Sequence, residues 1–240
     1  MTEREKILGR IREALAVASA APGHAHAPDV GRRSEAPRPL PQEESPGEAR
    51  PFSYYLPAVP SNPEDRLALF RTKVAELRAD FHLAGSREQL RGLLLALRDS
   101  EHWKKVAAHR GELADFATGT LGLPLCLIAP GYSVNELETC DAGITECDAL
   151  VAQTGSVLVT SRSAGGRALS VLPPHHIVLA RRAQLVADLP EAFTLLKRTY
   201  GSGYPSFISF ITGPSRTGDI ERILVLGAHG PKKLTICCLA

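Results

Sequence analysis

The chain has 240 residues, with 28 Lys and Arg against 26 Asp and Glu, for a formal net charge of +2. That balance, without blocks of Lys or Arg, argues against a dedicated nucleic-acid binder, and no apolar run approaches the roughly 20 residues that span a bilayer. Hydrophobic residues make up 44% but aromatics only 5%, so the core has to be built from Leu, Val, Ile and Ala. The five cysteines are Cys126, Cys140, Cys147, Cys237 and Cys238. Their number is odd, two are adjacent, and all lie in the second half, which does not fit a secreted disulfide framework. Reduced thiols in a cytoplasmic protein are the economical reading.

The pattern divides the chain into three regions. Residues 1–20 read as an amphipathic helix, opened by the capping-box spacing Thr2-x-x-Glu5 and striped by Ile7, Leu8, Ile11, Leu15 and Ala18. Arg4, Lys6, Arg10 and Arg12 before the alanine-rich run 14–21, with Ala25-His26-Ala27 after it, resemble a secretory leader. Glu3, Glu5 and Glu13 interrupt the charged region, and the run lacks a strong apolar centre, so the helix is preferred. Residues 21–61 hold nine of the eighteen prolines among Gly, Glu, Arg and Ser. Such a stretch cannot bury enough surface to offset its ordering entropy and reads as a flexible linker. Residues 62–240 have a globular pattern.

Within that region helices and strands alternate. Leu67, Phe70, Val74 and Leu77 mark a helix with Pro63 in its first turn. Residues 79–84 are short and extended, and Ser86-x-x-Gln89 opens a leucine-rich helix ending near Arg98. Residues 105–108 and 125–129 read as short buried strands. The runs 149–153 and 156–160, joined at Thr154-Gly155, predict a hairpin or one bulged strand. Strands at 176–180 and 206–211 flank a helix over 189–198. Two last strands, 223–226 and 234–239, look paired. The order predicts an α/β domain whose largely parallel central sheet is flanked by helices, with an antiparallel portion near the C-terminus.

Ligands in open α/β sheets bind beyond the carboxyl ends of strands, which directs attention to loops. In Ser161–Arg167, the small Gly165 and Gly166 let backbone amides approach an anion, and Arg162 or Arg167 adds a charged fork. The loop matches neither the P-loop nor the dinucleotide fingerprint, and a glycine turn with two solvated arginines is equally consistent with it. Ser215, Arg216 and Thr217 can grip a carboxylate or phosphate, unless Asp219 and Glu221 neutralise the arginine. Glu146, Asp219 and Glu221 are the weak acid–base candidates. Glu146 and Asp148 share a face if their stretch is extended, and a solvated polar face is the preferred reading. His229 stands in a tight turn. Of the neighbours His175 and His176, one is expected to be buried or to face the site and the other not. No metal-ligand spacing or Cys-x₂-Cys run occurs, so no metal or cluster site is expected in this chain. Cys126, Cys237 and Cys238 read as core; Cys140 and Cys147 fall in a polar stretch, where exposure is the expectation.

Four motifs in order carry a resemblance. Gln153-Thr154-Gly155-Ser156-Val157-Leu158-Val159 is followed by Leu172-Pro173-Pro174-His175-His176-Ile177-Val178. Then come Gly213-Pro214-Ser215-Arg216-Thr217 with Asp219-Ile220-Glu221, and Leu224-Val225-Leu226-Gly227-Ala228-His229-Gly230-Pro231. Residues 62–240 resemble the lactate-utilisation (LUD) domain, and among its members the stand-alone C-type subunit without a ferredoxin part. The resemblance implies a NagB/RpiA/CoA-transferase-like fold. It also implies a part in a three-component system oxidising L-lactate to pyruvate, with the iron–sulfur clusters on partner subunits and none on this chain. A small carboxylate or a partner subunit is then the expected ligand, and a homo-oligomer fits as well. The family often has an acid at the position of Gln153; glutamine cannot serve as nucleophile or general base. Two other readings stand beside this one. The chain is an independent enzyme on the same fold, acting on a phosphosugar, acyl-CoA or folate, or an assembly module without a small ligand.

Overall fold

A computed structural model describes residues 56–217, 225–226 and 229–240. The expected helix 1–20, nearly all of the linker 21–61, and Asp219 and Glu221 therefore lie outside the described residues.

Helix α1 (Pro63–Glu76) begins where the sequence places it. Asn62 Oδ1 accepts from the Glu64 amide at 3.0 Å, Pro63 fills the first turn, and Leu67, Phe70 and Val74 form the buried stripe. Strand β1 (Asp80–Ala84) leads into α2 (Arg87–Ser100), capped by Ser86, whose Oγ accepts from Gln89 N at 3.2 Å. Then follow β2 (Val106–Ala108), α3 (Glu112–Leu121), β3 (Leu125–Leu127), the short α4 (Val134–Glu138) and β4 (Ala142–Thr145). The sequence pattern had not marked α3 or α4. Strands β5 (Ala149–Val151) and β6 (Ser156–Thr160) form an antiparallel hairpin. Beyond it come β7 (His175–Arg181), β8 (Leu185–Val186), α5 (Leu189–Tyr200), β9 (Ile208–Ile211), β10 (Arg216–Thr217), β11 (Val225–Leu226) and β12 (Lys233–Leu239).

The central sheet has the order β1-β12-β7-β4-β2-β3, every neighbouring pair parallel. Its alternating side chains bury both faces. On one face Val106, Ile144, Ile177, Leu179 and Cys237 meet Leu90 and Leu94 of α2 and Leu113 and Leu121 of α3. On the other, Val178, Ala180, Ile236 and Cys238 meet Phe70 and Val74 of α1 and Leu150, Val157 and Val159 of a second sheet. That second sheet, ordered β8-β5-β6-β9, packs Ala149, Val151 and Leu158 on its far side against Ala192 and Leu196 of α5.

The antiparallel pairs are β5 with β6, β6 with β9 and β10 with β11, and the two last strands do not pair with each other. Strand β12 enters between β1 and β7, while β11 pairs with β10 in a two-stranded ribbon. The physical reason is visible in Leu234–Leu239, all six buried. A run buried at every position belongs in a parallel strand covered on both faces, and an exposed antiparallel strand would alternate. Among the described residues no helix is long and apolar enough to cross a membrane.

Candidate functional site

At the carboxyl edge of the central sheet, β2 ends into His109-Arg110-Gly111 and β4 ends into Glu146. The His109 ring is 5% exposed. Its Nδ1 lies 2.7 Å from the Arg110 carbonyl and its Nε2 3.0 Å from the Glu146 amide. A carbonyl only accepts and an amide only donates, so the proton sits on Nδ1 and Nε2 accepts. Glu146 Oε1 in turn accepts from the amides of Leu113 and Ala114, at 2.9 and 3.1 Å, in the first turn of α3. Helix α3 has no side-chain cap of its own, since Gly111 is its N-cap. The carboxylate that follows the neighbouring strand satisfies two of the orphan amides and meets the positive end of the helix dipole.

Two glycines make room for this arrangement. A Cβ on Gly111 would lie 2.2 Å from Glu146 Oε1. Gly165, at φ +66°, lets the Ser161–Arg167 loop close over His109, where a Cβ would lie 2.4 Å from the His109 Cβ. The loop is anchored at the end of β6, with Thr160 N donating to Ser163 Oγ at 2.9 Å and Ser163 N to Thr160 Oγ1 at 3.2 Å. Asp148 accepts from the hydroxyls of Ser163 and Tyr200. Burial, and the hydrogen bond to the Asp148 carboxylate, raise the Tyr200 phenol above its ordinary range. Arg162 stacks over the Tyr200 ring at 5.4 Å and Arg167 over the Phe207 ring at 5.7 Å. Both guanidiniums are exposed.

The structure therefore brings Glu146, Gly165, Gly166 and Arg167 to one edge. Glu146 and Asp148 do not form a solvated polar face. The strand stops at Thr145, and each carboxylate turns to donors that the fold supplies. His109 and Tyr200 complete the edge without a motif to announce them; the one signal for His109 is its place directly after a buried strand, the same place Ser161 holds after β6.

The second expected loop lies elsewhere. Ser156 Oγ, at the start of β6, is 2.8 Å from Thr212 Oγ1, whereas Gly165 follows the end of that strand. Four residue steps of about 3.3 Å separate the two ends by roughly 13 Å. Arg216 donates to the Leu77 carbonyl at the C-terminus of α1, and the Ser215 amide to the Pro231 carbonyl at 2.9 Å. Gln153 holds the hairpin turn in place through its Nε2, which donates to the Pro57 carbonyl at 2.8 Å, with Thr154 Oγ1 2.8 Å from Ser156 Oγ. Gly155, at φ +69°, passes over Lys73 of α1. Thr217 lies in β10, and His229 is exposed beside Gly230.

His175 and His176 are both buried, at 4% and 1% exposure, against the expectation that only one would be. Strand β7 is central and covered on both faces, so alternation directs one ring to each face and neither to solvent. His176 Nε2 lies 2.9 Å from Thr145 Oγ1, and His175 Nε2 2.9 Å from Thr235 Oγ1. Burial lowers their basicity to about 3 and about 4 respectively, so both rings are neutral at neutral pH. Cys140 and Cys147, expected in an exposed stretch, are buried like the other three cysteines. Desolvation pushes the Cys140 thiol up to about 11 and the Cys147 thiol well above its usual range, which removes both as ready nucleophiles. Among the described residues no group of three or more His, Cys, Asp or Glu side chains could hold a metal ion.

The model of the LUD domain matches residues 134–238 of this chain. Three similar proteins are each called lactate utilization protein C. The one from Shouchella clausii is 40% identical over 102 residues, covering 42% of this chain and 44% of the relative. That from Deinococcus radiodurans is 33% identical over 118 residues, covering 49% and 55%, and that from Bacillus subtilis 34% over 103 residues, covering 42% and 43%. The chain spans about half the length of the curated relatives it matches. A crystal structure of a DUF162 family protein from Deinococcus radiodurans superposes with a TM-score of 0.60 at 23% identity, covering 75% of this chain and all of that one. The fold is shared at that level. The LUD resemblance carried by the four motifs holds, and the similar proteins are of the C type.

Proposed function

We propose that this chain, as a LUD protein of the C type, serves lactate utilisation as a component without an iron–sulfur cluster of its own. In this reading it works beside iron–sulfur subunits that oxidise L-lactate to pyruvate. The names of the relatives support the process. The geometric support is the pair Arg162 and Arg167, exposed, laid on the rings of Tyr200 and Phe207, and in no ion pair among the described residues. Held near an aromatic face and in no such pair, each guanidinium keeps its N–H fork available for a carboxylate. Gly165 and Gly166 keep Cβ atoms away from the turn between them. This surface receives either a small carboxylate such as L-lactate or a carboxylate side chain of a partner subunit. Ser215, Arg216 and Thr217 form a separate surface at the other end of β6, where part of the Arg216 fork is already engaged with Leu77.

Cells that make this protein provide the test. Deleting the gene should abolish growth on L-lactate, and the wild-type gene should restore it. Full growth without the protein refutes the assignment. The tagged protein, purified without oxygen, should bring iron–sulfur subunits with it and reduce a dye in the presence of L-lactate. Changing Arg162 and Arg167 together to Ala should lower that dye reduction about tenfold or more, the loss of at least one charge-assisted hydrogen bond. Co-purification that survives the change identifies a small-molecule site, and co-purification that fails identifies a subunit contact.

A further inference from the structure

At the opposite, amino edge of the central sheet, the turns entering β2 and β4 and the first residues of β7 and β12 enclose a cavity. Its volume is about 180 Å³, and Glu101, Trp103, Asp141, His175, Lys232 and Lys233 line it. Pockets for drug-sized ligands run to roughly 300–1,000 Å³, so this one suits a molecule of a few heavy atoms.

Its polar groups are unevenly satisfied. Lys233 Nζ donates to both carboxylate oxygens of Glu101, at 2.7 and 2.6 Å. Asp141 Oδ2 accepts from the amides of Lys104 and Lys105, at 2.6 and 3.0 Å. Lys232 is exposed and in no ion pair among the described residues. His175 is the exception in the interior. Its ring is packed edge-to-face against Trp103, with centroids 5.3 Å apart, and its Nε2 is used by Thr235. Its Nδ1 is buried with no hydrogen-bond partner. Leaving a buried nitrogen unpaired costs on the order of 1–3 kcal/mol, and native structures keep few such atoms. When the Thr235 hydroxyl donates to Nε2, the single proton of the neutral ring is on Nδ1, which then needs an acceptor. His175 and Lys232 both line the cavity, so an acceptor seated there lies beside the ring, and the Lys232 ammonium favours a negatively charged one.

We propose that this cavity binds a small oxyanion, a carboxylate or a phosphate, between the His175 Nδ1–H and the Lys232 ammonium, with Trp103 as its apolar wall. The site is separate from the arginine-flanked turn, and each can stand without the other. An anion seated here bridges the starts of β7 and β12, which are also joined by the Lys232 and Lys233 amides donating to the Pro174 carbonyl, at 2.8 and 3.2 Å.

Trp103 is the only tryptophan of the chain, so its fluorescence reports on this wall alone. The full chain is titrated separately with sodium acetate, L-lactate and inorganic phosphate, with ionic strength held constant by sodium chloride. A saturable change with one or more of the three, absent with chloride, is the expected result. The anion that saturates at the lowest concentration tells carboxylate from phosphate. His175→Gln keeps a nitrogen where Nε2 lies but leaves nothing at Nδ1, and should abolish saturation. His175→Asn places its amide where Nδ1 lies and should restore it. Lys232→Ala, on the surface and harmless to the fold, should weaken binding about tenfold, one charge-assisted contact. No saturable response to any of the three anions overturns the proposal and assigns Nδ1 to water. A response that His175→Gln and Lys232→Ala leave unchanged overturns it as well, as an adventitious ion only.

Discussion

Glu146→Ala separates structure from chemistry at the carboxyl edge. The substitution removes the acceptor shared by the Leu113 and Ala114 amides and leaves the first turn of α3 with no cap, because Gly111 offers none. Hydrogen bonds to a charged acceptor contribute about 1.5–3 kcal/mol, and loss of an N-cap costs about 0.5–2 kcal/mol. The two descriptions cover the same contact and are not summed, and Glu146 is half-buried, so a loss of about 2 kcal/mol is expected. For a unit of this size that lowers the melting temperature by about 4–8 °C. Glu146→Gln keeps an oxygen for both amides and loses only the charge facing the helix dipole, a smaller cost of about 0.5–1 kcal/mol. Urea unfolding followed by Trp103 fluorescence measures both, since Trp103 is buried in the cluster that α2 and α3 build on the sheet. The helix N-terminus left empty by Glu146→Ala should take an anion from solution, so sulfate should stabilise that variant more than wild type. A Glu146→Ala protein within about 0.5 kcal/mol of wild type, the range of inert surface changes, refutes the capping role. Equal losses for Ala and Gln assign the whole effect to charge.

Three further outcomes follow from burial and backbone. All five cysteines are buried and desolvation pushes all five thiols toward weaker acidity, so an aromatic disulfide reagent at pH 8 should label none in the folded protein and five in urea; fast labelling of any one refutes that burial. His175 and His176 ionise near 4 and 3 when folded against 6.5 in the unfolded chain. The unfolded state therefore binds more protons below pH 6.5, and their contribution to stability, complete above that pH, is lost as pH falls toward 4 for His175 and toward 3 for His176. The slope should approach about 1.4 kcal/mol per pH unit per histidine, and His176→Leu should flatten it; an unchanged slope places that ionisation elsewhere. Gly143→Ala would drive a Cβ to 2.3 Å from the Leu169 carbonyl oxygen, inside β4. Overpacking of this kind costs about 1–3 kcal/mol, read as a shift in urea midpoint, and a neutral result shows that the 169–173 segment yields.

Elements whose signal is local were legible in the sequence. Pro63 in a first turn and Ser86-x-x-Gln89 mark two helix starts by local chemistry alone, and Thr154-Gly155 marks the turn where a positive φ is needed as the chain crosses Lys73. Strand pairing was not legible for β12. A run such as Leu234–Leu239 states that both faces are buried but not which strands lie beside it, and its partners β1 and β7 are distant in the chain. Helix α3 was missed for a related reason: its N-terminal anion comes from Glu146, 34 positions beyond Glu112, so no capping residue stands before it.

The candidate site divides along the same line. Gly165, Gly166 and Arg167 could be found because small residues and a guanidinium in one loop are a local pattern. That Glu146 shares their edge follows from β2 lying beside β4, a long-range pairing. That Arg216 does not share it follows from β6, whose two ends carry the two loops. A composition reading weighs both loops alike, since each holds hydroxyls, glycine and arginine. Only the fold distinguishes an arginine laid on an aromatic ring, with its N–H groups unspent, from one that already closes a helix. The distinction is chemical as well as geometric. Replacing Arg216 by Ala leaves the Leu77 carbonyl to find water and disturbs the junction of α1 with the 213–217 loop, so loss of function there reports on stability first. Replacing Arg167 removes charge and stacking from an exposed surface and reports on binding. The two substitutions, compared by urea midpoint and by L-lactate-dependent dye reduction in the same preparation, should therefore separate: stability falls with Arg216→Ala, and dye reduction falls at unchanged stability with Arg167→Ala. The reverse pattern would move the anion surface from the end of β6 to its start.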